Sequence, residues 1–123
     1  MTFILFAKKF LKEYFNTLFV KKRLDRLDDY LDKDYFDSDI GPGVKDHVKN
    51  SKEYLPALLE KYPGIRVLVK HAVRFSDVIC AHLHWTILKD SKRIVWKKGA
   101  AVFVLRGGKI LKRSTFIYYE SGD

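Results

Sequence analysis

The spacing of apolar residues changes at Gly64, and this change limits the folds open to the chain. Before Gly64, apolar residues recur three and four positions apart, as in Phe10, Leu11, Tyr14 and Leu18. After it they alternate with other residues, a period of two. A helix repeats every 3.6 residues and a strand every two. The sequence therefore predicts helices first and an antiparallel meander second, an α+β fold.

The first half divides into three predicted helices. The first ends at about Leu18, the second covers Arg23–Leu31, and the third runs from Val44 to Lys61. The stretch 34–43 between the last two ends in Gly-Pro-Gly and is predicted to be a loop. Pro56 is expected to kink or divide the third helix, because proline removes a helical hydrogen bond.

The second half alternates over four long segments. Gly107-Gly108 has the form of a two-residue hairpin turn, and Gly99 marks a bulge or bend. The predicted strands are Val67–Phe75, Val78–Leu88, Ile94–Arg106 and Ile110–Glu120.

One face of this sheet should receive the helices. The strand Ile94–Arg106 is mainly apolar on both faces near its end, with Val102 and Val104 on one side and Phe103 and Leu105 on the other. An apolar outer face on a domain of this size suggests a homodimer through that face.

Positive charge is concentrated in the second half. Residues 1–63 have 12 basic and 11 acidic side chains, a net of +1, whereas residues 64–123 have 12 and 4, a net of +8. A basic surface could meet nucleic acid or an acidic protein, or could be a solvated rim. The residues expected to form it are Lys97, Lys98, Lys112 and Arg113, with Lys89, Lys92 and Arg93 at a turn.

Five stretches of the sequence resemble one known superfamily. They are FLKEYFN, LDRLDDYLDKDYFD, GPGVKDHVKN, LLEKYPGIRV and VFVLRGGKI, and they span nearly the whole chain. They resemble the nuclear transport factor 2-like superfamily, and within it the SnoaL-like, polyketide cyclase-like branch. The resemblance implies one domain over residues 1–123, shaped as a cone. Three N-terminal helices would pack on the concave face of a curved antiparallel sheet, with a pocket between them.

The resemblance also indicates where acid–base chemistry would lie. Cyclase-type members have an aspartate on the strand before the Gly-Lys-Ile turn, and that position is Ala101 here. Members often have a histidine in the loop after the second helix, near Ser38 or Asp39 here. Asp37 or Asp39 could supply the carboxylate instead, or could simply form turns and helix caps.

Histidines are the other candidates for chemistry. By alternation His71 should face the core, as a general base, as a ligand contact or as a core histidine bonded to Tyr14 or Tyr35. His82 and His84 share a face, which is predicted to point away from the pocket. A bulge would bring His84 inside instead. His47 is expected at the surface.

Aromatic residues are predicted to line the pocket. Such walls suit a small, largely apolar organic ligand, although core packing would use the same residues. The candidates are Tyr14, Tyr35, Trp85, Phe103 and Tyr118. The sequence thus favours a binding protein, with isomerase or cyclase activity, a basic binding module and a structural dimer as alternatives.

Cys80 is the single cysteine, so a disulfide framework is excluded and a reducing, cytoplasmic setting is expected. The start MTFILFAKKFLKEYF has no basic region before its apolar run and no cleavage site after it, and nothing reaches the length of a membrane span. We therefore expect no targeting segment and no membrane partner. No complete set of metal ligands and no phosphate-binding loop occurs, so no metal or cofactor is expected.

Overall fold

The computed structural model describes residues 2–40 and 43–121, with side chains from Phe6 onward. Within these ranges it has three α-helices and five strands. Helix α1 covers Thr2–Phe15 and continues as a π-helical turn, Asn16–Val20; α2 is Leu27–Tyr30 and α3 is His47–Lys61. The strands are β1 Leu31–Asp37, β2 Arg66–Phe75, β3 Val78–Lys89, β4 Lys92–Arg106 and β5 Lys109–Glu120.

The four long strands and the hairpin turn confirm the sequence predictions. Gly107 and Gly108 have φ of 58° and 80°, which is the left-handed backbone that a tight two-residue turn requires. Helix α3 runs through Pro56 as one element. Its N-terminus is capped by Asp46, whose carboxylate accepts the amide N–H of Lys49 at 3.0 Å.

The region between α1 and α3 differs from the prediction. The second helix is only the four residues of α2, preceded by a 3₁₀ turn, Leu24–Arg26. The expected loop from residue 34 begins as strand, because β1 pairs in parallel with β5 and Asp37 lies opposite Arg113. A partner 76 positions away leaves no local pattern that sequence inspection can detect. Residues 41–42 of the expected loop lie outside the described residues.

The sheet is therefore mixed, with strand order β1-β5-β4-β3-β2 and β1 and β2 at its edges. Helix α1 packs its apolar face on the concave side, where Leu11 is fully buried and the Phe15 ring meets the Phe103 ring edge-on at 6.5 Å. Each such buried side chain contributes about 1.5–3 kcal/mol. The arrangement confirms the α+β cone, with helices on the concave face of a curved sheet.

The parallel pair of β1 and β5 is irregular between Leu31 and Phe36. In the antiparallel pairs of the described strands, the pairing skips one residue at four points. The residues left without a partner are Lys70, Trp96, Leu111 and Tyr118. Each skip is a β-bulge, and each shifts the later side chains of that strand to the opposite face. No helix in the described part of the chain is long and apolar enough to cross a membrane.

Candidate functional site

A cavity of about 520 Å³ opens between α3 and the concave side of the sheet. Its aromatic wall is formed by Tyr54 from α3, Trp85 from β3 and Trp96 from β4. Arg113 from β5, with Asp37 and Asp39 from the end of β1 and the loop after it, supplies charge. The cavity thus combines an apolar wall with a few polar groups, which is the usual composition of a small-molecule site.

Arg113 reaches this cavity because of the bulge at Leu111. Ile110 is fully buried on the concave side, so strict alternation would place Lys112 inside and Arg113 outside. The unpaired Leu111 exchanges them: Arg113 lies opposite Phe103, and Lys112 lies opposite Val104 on the outer side. The Arg113 guanidinium carbon then lies 5.8 Å from the Phe103 ring centre, and its Nε donates to Thr115 Oγ1 at 3.1 Å.

The surroundings of Arg113 keep it charged. Burial opposes the charged form, but the oxygens of Tyr14, Tyr35, Asp37 and Asp39 outweigh it and raise the pKa of Arg113. A guanidinium has only donors, so it suits a carbonyl, carboxylate or enolate oxygen of a ligand.

The two aspartates are fixed by local hydrogen bonds. Asp37 accepts from the Tyr35 hydroxyl at 3.3 Å and from the amide N–H of Asp39 at 2.9 Å. Asp39 Oδ2 accepts the amide N–H of Thr115 at 3.0 Å. Its second oxygen, Oδ1, accepts no hydrogen bond within residues 2–40 and 43–121, and it belongs to a residue that lines the cavity.

Tyr14 and Tyr35 form a second layer behind Arg113, with 4% and 5% of their surfaces exposed. Burial raises the pKa of both phenols, and the charge of Asp37 adds to the effect on each. Both tyrosines therefore remain neutral and support Arg113 from the core side.

His47 holds the acidic turn against α3. Its Nδ1 accepts the amide N–H of Asp37 at 2.9 Å, so the proton lies on Nε2, which donates to the carbonyl of Val44 at 3.2 Å. Only 6% of the surface of His47 is exposed, so its role is structural and the prediction of a surface position is wrong.

The structure separates the residues predicted for the pocket into three groups. Asp39 and Trp85 line the cavity. Tyr14, Tyr35 and Phe103 are buried in the core next to it. His71, His84 and Tyr118 lie on the outer face of the sheet.

The prediction that His71 faces the core is wrong, because the bulge at Lys70 turns it outward. Val69 is buried, whereas His71 is exposed and stacks on His82 with ring centres 6.3 Å apart. Tyr118 is itself a bulged residue, 63% exposed, with its hydroxyl 2.5 Å from His82 Nε2. The interior position predicted for Tyr118 is therefore also wrong.

The outward orientation predicted for His82 and His84 is confirmed, and the alternative that brings His84 inside is wrong. Their rings meet edge-on, 5.1 Å apart. Within the described residues no group of three His, Cys, Asp or Glu side chains could hold a metal ion.

The predicted basic cluster does not form as one surface, because Lys97 and Arg113 line the cavity whereas Lys98 and Lys112 lie on the outer side. Lys97 lies at the cavity mouth, 4.3 Å above the Trp96 ring and 3.7 Å from Glu120. Lys98 is on the outer side over Tyr119, and Arg113 is inside the cone. Alternation within strands and the bulge at Leu111 send these cations to different faces.

Sequence inspection did not identify Arg113, Trp96 or Tyr54 as cavity residues. For Arg113 and Trp96 the signal was concealed by a bulge, which no local residue pattern marks. Tyr54 could have been found, because it lies one helical turn before Leu58 on a helix that ends in Tyr-Pro-Gly. Ala101, at the position where the resemblance expects an acid, is fully buried on the concave face and paired with Thr115.

Comparison with known proteins agrees with the fold described above. A loop-truncation variant of IdmH is similar over 89% of this chain and 91% of its own, at 13% identity and a TM-score of 0.73. TsrD from Streptomyces laurentii matches over 89% and 86%, at 10% identity and 0.70. A SnoaL-like polyketide cyclase from Agrobacterium tumefaciens matches over 85% of both chains, at 12% identity and 0.67.

These identities are low, so the likeness to solved structures shows the fold. No curated protein matches the chain. The sequence profile of the SnoaL-like domain, however, matches residues 11–113. That range contains the whole cavity wall except Ile117 and Thr115. The chain belongs to the SnoaL-like domain family.

Proposed function

We propose that the protein binds a small, largely apolar organic molecule with at least one oxygen in the cavity between α3 and the sheet. The observation that supports this is the placement of Arg113, a charged donor inside an aromatic-walled cavity. Desolvation makes such a group costly to keep unless it has a partner, and a ligand oxygen would add one.

Tryptophan fluorescence offers a direct test, because the chain has two tryptophans and both line the cavity. We expect bicyclic aromatic ketones and phenols, beginning with 2-tetralone, to change the emission saturably and to raise the melting temperature. Arg113→Met should weaken binding about tenfold or more, the value of a hydrogen bond to a charged group. Lys112→Met, the next residue on the opposite face, is the matched control and should bind normally.

Acid–base catalysis is a second function that one observation favours. Asp39 and Arg113 line the same cavity, and Asp39 Oδ1 accepts no hydrogen bond from the described residues. Asp39 would remove a proton from the carbon next to a ligand carbonyl, and Arg113 would stabilise the enolate oxygen that forms. Returning the proton to another position completes an isomerisation.

Deuterium exchange can separate catalysis from binding. In heavy water the protein should accelerate loss of the α-proton signal of bound 2-tetralone. Asp39→Asn should abolish that acceleration while leaving the fluorescence titration nearly unchanged. If the native protein binds 2-tetralone but does not accelerate the loss of its α-proton signal, the protein binds ligands without this catalytic activity.

We also propose a homodimer through the outer sheet face. That face exposes Val73, Phe75, Phe116 and Tyr118, each more than half exposed. Large apolar side chains exposed on one face of a sheet often mark a surface that another subunit covers. The single cysteine, Cys80, is a free thiol, and on that ground we propose a reducing, cytoplasmic location.

A further inference from the structure

A second groove of about 690 Å³ lies between α1 and the free edge of the sheet at β2. Among the described residues it shares no lining side chain with the cavity beside α3. We name it the β2-edge groove and define it by Lys8, Lys12, Arg66, Val67 and Lys70. Nothing in the proposed function uses it.

The backbone at this groove has unused pairing capacity. β2 pairs with β3 on one side and has no strand on its other side in the described sheet. An edge strand presents alternate N–H and C=O groups that a further strand can bind. The groove therefore runs along a row of backbone donors and acceptors.

The side chains of the groove are strongly basic. Lys8 and Lys12 lie one helical turn apart on α1, and Arg66 and Lys70 lie on β2. Within residues 2–40 and 43–121, none of the four is within 4.0 Å of a carboxylate in an ion pair, although Glu13 also lines the groove. The positive charge of the groove also affects a neighbouring residue. The pKa of Arg93 is lowered, first by burial and second by the charge of Arg66.

The spacing of these cations favours an extended ligand over a compact anion. Arg66 and Lys70 are four positions apart along the strand, a distance of about 13 Å, which one phosphate or carboxylate cannot bridge. Along β2, exposed Arg66, Leu68 and Lys70 alternate with the less exposed Val67 and Val69. An incoming strand that alternates acidic and aliphatic side chains would match both rows.

We propose that the β2-edge groove binds an extended acidic segment of another protein, which adds to the sheet as a strand beside β2. Main-chain hydrogen bonds to the edge would supply affinity, and the four cations would select acidic side chains. The same cations would repel a basic strand, and so they also oppose pairing between the basic β2 edges of two copies.

The test uses the full chain and a fluorescent peptide of about ten residues that alternates glutamate and valine. Fluorescence anisotropy at low ionic strength should show saturable binding that added salt weakens. Two peptides are controls: one with lysine in place of glutamate, and one with prolines at two central valines. Both should bind at least about tenfold more weakly, since one reverses the charge and the other removes backbone donors.

Protein variants locate the binding. The double charge reversal Lys12→Glu with Lys70→Glu should weaken binding about tenfold. Lys33→Glu, the same change on the opposite edge strand β1, should have little effect. If the double variant fails to fold, the single variant Lys70→Glu replaces it in the binding assay, because Lys70 is exposed.

Three results would overturn the proposal. They are no binding at low ionic strength, equal binding of the proline peptide, and an equal loss from Lys33→Glu. None of these three results would contradict the proposed function of the cavity beside α3, because that function is tested separately by the tryptophan fluorescence of the cavity.

Discussion

Arg113 is a charged side chain placed in the interior of a cone, and its neighbours are arranged to tolerate it. Phenol and carboxylate oxygens raise the pKa of Arg113 against the effect of burial. Thr115 Oγ1 accepts a hydrogen bond from the Nε–H group of Arg113 at 3.1 Å. The Phe103 ring covers one face. The remaining guanidinium donors are the feature of the cavity that most directly selects for an oxygen-bearing ligand.

The buried tyrosines give a prediction that needs no ligand. Of the seven tyrosines, Tyr14 and Tyr35 have raised pKa values caused chiefly by burial. The unfolded chain loses these protons near pH 10, so stability should fall as the pH rises above that value. Titration of phenolate absorbance should show two groups that ionise only when circular dichroism reports unfolding.

Tyr35→Phe provides the control for that titration. It should remove one of the two resistant groups and leave the other. If all seven tyrosines of the native protein ionise together while it remains folded, the burial argument for this layer is wrong.

At the scale of elements, sequence periodicity predicted the long strands and failed wherever a bulge interrupts them. Lys70 and Leu111 are the informative cases: one bulge turns His71 out of the cone, and the other turns Arg113 into it. A bulge depends on the pairing between strands, so no pattern within one strand reveals it. Strand β1 was missed for a related reason, since its partner β5 is distant in sequence.

Gly99 shows how tightly these strands are packed. A Cβ atom at this position would lie 2.6 Å from the carbonyl oxygen of Phe116 and 3.2 Å from the Trp85 ring. We predict that Gly99→Ala lowers the free energy of unfolding by about 2 kcal/mol, because backbone must shift to make room. Urea denaturation measures the change.

Gly43→Ala is the matched control, because a Cβ atom there meets nothing within 4 Å. It should change stability little. Equal effects of the two substitutions would show that the close approach of β4 and β5 at Gly99 is not a constraint.

At the scale of the whole molecule, the net charge of +9 is spread over separate surfaces. Arg106 binds Asp32 and Asp34, Arg113 serves the cavity, and a further group of cations lines the β2-edge groove. Segment counts showed that the second half is basic. They could not show which cations share a surface, because that depends on the folded arrangement.

The outer face predicts how the molecule assembles. Phe116, which lies on β5 opposite Ala100 of β4, is 65% exposed. We predict that the native protein sediments as a dimer and that Phe116→Asp sediments as a folded monomer, because a charge in a desolvated interface is costly. A monomeric native protein would contradict the proposed interface.

The histidines of that face predict a dependence of stability on pH. Burial first, and then the charges of His82, Lys98 and Lys70, lower the pKa of His84. The unfolded chain then binds the proton more readily than the folded chain, so the free energy of unfolding should fall as the pH drops below about 6.5. Urea midpoints measured above and below that pH test this.

His84→Gln should reduce that loss at acid pH while leaving stability near neutrality similar. An unchanged pH profile in this variant would assign the effect to other groups.

The central claim is that the cavity beside α3 is a ligand site organised by Arg113, and a crystal structure with a bound probe tests it most directly. The account predicts that a ketone such as 2-tetralone lies against Trp85 and Trp96 with its oxygen about 3 Å from the Arg113 guanidinium. A probe bound elsewhere, or one in the cavity whose oxygen points away from Arg113, would contradict it.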